Sequence, residues 1–158
     1  MKTYSLTHLS DGSLLRDLAA LVARDRSITA AILAHLAEVD ARKLYLPAGY
    51  PSMYAYCVGA LGLSGESTLR RIQAARAGRR FPFIFEAVAG GRLHLTGVCQ
   101  LAPYLTPENA DALLRVSEHK TKQEIATLLA ERFPRSETLA MVETVGSPPT
   151  FTIDEYSL

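Results

Sequence analysis

The chain carries only two cysteines, Cys57 and Cys99. Each sits inside an apolar run, the usual setting of a buried, reduced thiol, so both are expected to be buried and free. Metal ligands are equally sparse. No second Cys or His lies at ligand spacing from either thiol, and His8, His35, His94 and His119 are scattered. Neither a zinc site nor any cofactor is expected. Long hydrophobic runs are missing as well. Arg, Asp, Glu or Gly interrupts every apolar stretch well short of the ~20 residues a membrane helix needs. The segment from Met1 to His8 has no apolar core of a secretory signal, which leaves a cytoplasmic address as the expectation. Internal repeats and low-complexity tracts are also lacking.

What is present is the composition of one globular domain with a short tail: 158 residues, 48% hydrophobic, 17 basic against 16 acidic side chains. From Ser13 to Leu46 there is neither Gly nor Pro. Leu14, Leu18, Leu21, Val22, Ile32, Leu36 and Val39 recur there at three- and four-residue intervals, which predicts one long amphipathic helix, or two with a break near Arg24–Ser27. Pro47 and Gly49 close it. Ser52 can cap a short helix reaching Leu61, Gly62 ends that helix, and Ser64 can cap the next, from Glu66 to Arg79. Phe81-Pro82 stops the second. Further helices are expected around Ile84–Val88, from Thr96 to Pro103, after the Thr106-Pro107 pair, and after Thr121, where Glu124 completes a capping box. The fold class is therefore all-α, with about six or seven helices over residues 10–134. Residues 135–158 read as a linker followed by a short extended tail, with a strand start at Phe151-Thr152-Ile153 that suggests the beginning of a second domain or pairing between subunits.

Charge is even along the chain except in one place. Between Ser67 and Phe85 stand Arg70, Arg71, Arg76, Arg79 and Arg80 without a single Asp or Glu. Guanidinium groups match phosphate oxygens bidentately, so this cluster suits nucleic acid, while a solvated face neutralised by other helices remains the plain alternative. The order of helix, Gly-closed turn and basic second helix over residues 52–79 has the form of a helix-turn-helix. On a helical wheel Leu69, Ile72 and Arg76 fall on the core side, and Ser67, Arg70, Arg71, Ala74 and Gly78 face outward. Ser67, Arg70, Arg71, Arg79 and Arg80 are thus the candidate DNA contacts. Arg76 is expected to pair with Glu38 or Asp40.

Phe81-Pro82, the helix after it, and Gly91-Arg92-Leu93-His94-Leu95-Thr96 before another helix are similar to the order of elements in ParB-like chromosome-partitioning proteins. Arg71 stands where that pattern has an apolar residue. A wider set of segments, comprising 36–42, Leu44-Tyr45, 49–57, Gly62-Leu63-Ser64, Arg70-Arg71-Ile72, Ala74-Ala75-Arg76, Arg80-Phe81-Pro82 and 105–109, resembles the N-terminal helical region of bacterial HNH endonuclease-type proteins. The resemblance implies a nucleic-acid-associated helical region that precedes a metal-dependent nuclease module. No His-Asn-His set or Cys-x-x-Cys pair can be assembled from these residues, so nuclease activity is not implied for this chain.

Other chemistry finds little support. Glu38 and Asp40 point to different helix faces, His35 and His94 read as packed or surface residues, Ser64 and Ser67 as helix-start residues, and Gly90-Gly91 lacks the flanks of a phosphate loop. No small-molecule substrate is evident. Tyr45, Tyr50, Tyr54 and Tyr56 could stack on unpaired bases or fill the junction behind the long helix. Two readings follow: a non-catalytic DNA-binding module, or a helical interaction or dimerisation domain that uses the first helix. Exposed apolar residues on that helix favour the second; an uninterrupted positive face around Arg70 and Arg71 favours the first.

Overall fold

The computed structural model describes residues 4–134. The expected linker and strand start lie outside the described residues. Among those described there are seven α-helices and one 3-10 turn, and no strand. The all-α expectation holds.

The first helix, α1 (Asp11–Arg42), is a single unbroken rod of 32 residues. Arg24–Ser27 does not interrupt it, because four polar residues leave the backbone hydrogen bonds intact where neither Pro nor Gly intervenes. Ser10 opens the helix by accepting from the Ser13 amide. The end comes earlier than Pro47 suggests: Lys43 turns into the left-handed region at φ 52°, and the Leu44 amide reaches back to the Val39 carbonyl. This is the 6→1 bond of a Schellman stop, made here by a residue with a Cβ.

Next come α2 (Met53–Gly59) and α3 (Gly65–Arg80), joined across Ala60–Ser64. Ser52 caps α2 as expected, accepting from the Ala55 amide at 3.0 Å. Ser64 does not cap α3 with its hydroxyl; instead its carbonyl accepts from the buried Thr68 hydroxyl at 2.6 Å. α4 (Phe83–Ala89) follows Pro82, and α5 (Leu95–Leu101) runs into the 3-10 turn Ala102–Tyr104. Thr96 was the expected opener of α5, but His94 takes that role. Its Nδ1 accepts from the Gly97 amide at 2.9 Å while Nε2 donates to the Lys120 carbonyl at 3.1 Å. An imidazole can cap a helix when it has an acceptor nitrogen to offer.

The Thr106-Pro107 pair opens a turn rather than a helix. Thr106 and Asn109 exchange side-chain and backbone hydrogen bonds, and α6 (Ala110–Val116) begins only after them. The capping box on Thr121 and Glu124 is present and starts α7 (Lys122–Arg132).

The core lies between these elements. Leu33 and Leu36 of α1, Ile72 of α3, Ile84 and Val88 of α4, Val98 and Leu101 of α5, Leu113 and Leu114 of α6 and Ile125 of α7 form one buried cluster. Each such side chain contributes roughly 1.5–3 kcal/mol on leaving water. The central element is α3, which packs against α1, α2, α4 and α5. It buries Ala74, Ala75, Ala77 and Gly78 besides Ile72 and Thr68. Ala74 and Gly78 were expected to face outward, and the correction has a steric cause. A wheel weighted by large apolar residues overlooks small ones, yet small residues are what let helices approach closely. A methyl group placed on Gly78 would lie 2.6 Å from the Phe85 ring.

The helix stop at Lys43 yields a stability prediction. A non-glycine residue in the left-handed region carries a cost of about 1 kcal/mol, which glycine avoids. Lys43→Gly is expected to raise the thermal midpoint by roughly 3 °C for a domain of this size. A lowered midpoint would show that the lysine side chain contributes more than its backbone costs.

Candidate functional site

The arginine cluster of α3 does not form one continuous face. Arg76 and Arg79 turn toward α1. Arg76 meets Asp40 through two bonds, Nε to Oδ2 at 3.0 Å and Nη2 to Oδ1 at 3.3 Å, at a half-buried position. Of the two expected partners Asp40 is thus the one taken. Arg79 lies 2.7 Å from Glu38, whose other carboxylate oxygen binds Arg42 at 2.9 Å. The hydrogen bond from Arg79, and after it that from Arg42, holds the Glu38 carboxyl below its ordinary range. Two of the five cations are therefore neutralised by acids 36 to 41 residues earlier in the chain. The sequence points to both acids as partners for Arg76, but not to the pairing of Arg79.

The other arginines differ among themselves. Arg71 is half-buried and donates to the hydroxyl of Ser67, one turn earlier on the same helix. Arg80 is exposed, donates to the Leu105 carbonyl at 3.3 Å and lies 5.0 Å from the centre of the Phe81 ring. The Arg70 side chain is exposed and makes no ion pair or hydrogen bond among the described residues. It borders an open groove of about 450 Å³ between α3 and α5, lined also by Glu66, Leu69, Gln73, Thr96, Cys99 and Gln100. The groove continues past Gln73 toward Arg80 and Pro103. Ser67, Arg70, Arg71, Arg79 and Arg80 are thus not gathered into one contact surface: Arg70 and Arg80 flank the groove, whereas Arg79 faces Glu38.

The helix-turn-helix order of α2 and α3 is present, but the second helix is surrounded on most sides. A helix that reads the major groove needs a bare face to enter it. The exposed residues of α3 are Glu66, Arg70, Gln73, Arg79 and Arg80, and Arg79 is paired with Glu38.

The tyrosines fill the junction behind α1. Tyr50 and Tyr56 meet edge to face with centroids 5.6 Å apart, and a methyl group on Gly59 would lie 2.6 Å from the Tyr50 ring. Tyr45, Tyr54 and Tyr56 pack against the core cluster. The packing alternative describes them.

A surface that sequence reasoning weighed less lies at the other end of α1. From Asp11 to Ile28 every residue but Ser13 is exposed; the body first meets the helix at Arg26, beside Gly91, and the segment before it projects as an arm. Leu15, Leu18, Leu21 and Ile28 are 67%, 57%, 58% and 56% exposed, and Leu14 and Val22 about 40%. These figures decide between core and surface, since an amphipathic stripe of this kind normally lies against the body. The periodicity correctly identified an amphipathic helix without revealing that five of the seven residues in its stripe, Leu14, Leu18, Leu21, Val22 and Ile32, are exposed. Such a row exceeds the scattered apolar residues that ordinary surfaces carry.

Comparison with known protein families, with curated proteins and with solved structures gives no match. Among the described residues no group of three or more His, Cys, Asp or Glu could hold a metal ion, and no helix is long and apolar enough to cross a membrane.

The two thiols differ, contrary to the expectation that both are buried. Cys57 is fully buried. Cys99 is only partly so, because it lies on the α5 side of the groove, where its thiol donates to the Arg70 carbonyl at 3.3 Å. Burial pushes its pKa up to about 11, with Arg70 pulling weakly the other way. Only the thiolate reacts, so alkylation of Cys99 in the native protein should climb about tenfold per pH unit from about pH 8 to 10. Cys57 should stay unlabelled until denaturant is added. A Cys99 rate that levels off by about pH 9 would place that thiol in open water instead.

Proposed function

We propose that this chain is a non-catalytic helical association module whose α1 arm pairs with the arm of another copy. The observation that carries this reading is the apolar row from Leu14 to Ile28, which is left bare among the described residues. Isolated helices are marginal in water, and most helix stability in proteins comes from packing an apolar face. An arm of this length gains that packing by pairing. The test is the mass of the full chain in solution at about 100 µM, by sedimentation equilibrium. The parent should exceed the 17.2 kDa of one chain, and Leu18→Glu with Leu21→Glu should return it to that mass without loss of helical signal. A parent that stays at one chain mass under these conditions overturns the reading.

A second reading, DNA binding through phosphates, is favoured by one observation: Arg70 carries a guanidinium with no partner among the described residues, beside a groove that Arg80 also borders. With Arg70, Arg71 and Arg80 as the contacts, the logarithm of affinity should fall against that of salt with a slope of about −2 to −3 per chain. Replacing Arg70 and Arg71 by Ala should flatten the slope by about two. Duplex titrations at several salt concentrations provide the measurement, and salt-independent affinity or no binding at low salt removes this reading.

A further inference from the structure

The row of exposed apolar residues on the arm has a second regularity. Positions 14, 18, 21, 25, 28 and 32 follow one another at intervals of four and three, the a/d seam of a coiled coil. Leu14, Leu21 and Ile28 take the d positions; Leu18, Asp25 and Ile32 take the a positions. Leu15 and Val22 flank the seam at e, and Asp17 and Arg24 flank it at g. Among the described residues Asp17, Arg24 and Asp25 form no ion pair or hydrogen bond with their side chains. Their charges are therefore available to a partner.

These positions discriminate between the ways two copies can meet. In a parallel pair a faces a, so Asp25 would stand against Asp25 of the second copy inside the seam. The g residues would face e residues, Asp17 meeting Val22 and Arg24 meeting Thr29, with no charge matched. In an antiparallel pair a faces d, g flanks g and e flanks e. Three antiparallel registers keep the arms overlapped. One is centred near residue 16 and sets Asp17 beside its own copy. Another is centred near residue 23 and does the same to Arg24. The third, centred between Ala19 and Ala20, stacks Leu18 on Leu21 twice at the middle and Leu15 beside Val22 on one flank. On the other flank it brings Asp17 of each copy to Arg24 of the other, twice. Asp25 then lies opposite Leu14, one layer in from either end.

We infer that the arms of two copies form an antiparallel coiled coil centred between Ala19 and Ala20, its register set by reciprocal Asp17–Arg24 pairs. This rests on the dimer reading under Proposed function and specifies its geometry. Charges at flanking positions select among pairings by penalising the wrong ones.

The test uses the full chain in three forms: parent, Asp17→Arg and Arg24→Asp. Both substitutions lie on the exposed arm, and retained helical signal confirms folding. Each variant alone converts both flanking pairs to like charges, so each should dimerise about tenfold more weakly than the parent in sedimentation equilibrium at low salt. An equimolar mixture of the two restores opposite charges on both flanks, and should regain the parent's association to within about threefold. If the parent dimerises and both variants match it, or if the mixture stays as weak as the separate variants, the register is overturned while the dimer reading survives. If the parent is monomeric, the dimer reading itself has failed, and the register with it.

Discussion

The fit of α3 onto α1 is the constraint on which the other elements depend. Two features hold it: the small buried side chains of Ala74, Ala75 and Ala77, which keep α3 slim where it packs, and the Asp40–Arg76 and Glu38–Arg79 pairs at its edge. Removing two charges from water costs free energy, and a two-bond, half-buried contact such as Asp40–Arg76 returns it through good geometry. Once α3 is fixed on α1, the positions left for α2, α4 and α5 against it are few. The same contacts also set the charge of the surface, since cations committed to α1 are withdrawn from any external ligand.

Much of the fold was legible in the sequence because local signals and global packing agreed. Ser52, Thr121 with Glu124, and Phe81-Pro82 mark helix boundaries through bonds to residues three or four positions away, and such bonds can be read from spacing alone. The misreadings share the opposite character. His94 displaced Thr96 as a cap because its ring is tied to the Lys120 carbonyl, 26 residues away. Ala74 and Gly78 were placed outward because their burial depends on Phe85 and other neighbours that periodicity in α3 cannot represent. The candidate site fared similarly. Arg76 was recognised as an internal partner because the helical wheel places it on the core side, whereas Arg79 was assigned to DNA although it pairs with Glu38, a residue expected only as a partner for Arg76.

α1 carries two apolar faces that serve two purposes. Ala30, Leu33, Leu36 and Ala37 are sealed inside the body. The row from Leu14 to Ile32 runs along another side of the same helix and stays in open water. Hydrophobic pattern specifies that a helix has something to bury, and only the three-dimensional arrangement says whether the cover comes from the same chain.

An uninterrupted helix also acts as a ruler. At 1.5 Å per residue, the distance from the middle of the arm to Asp40 is about 30 Å, and neither Pro nor Gly within that span allows it to bend sharply. Two antiparallel copies joined at that midpoint would hold their Asp40 anchors about 60 Å apart. Whatever each body touches would then be engaged at two separated points, with a spacing set by the number of residues in α1.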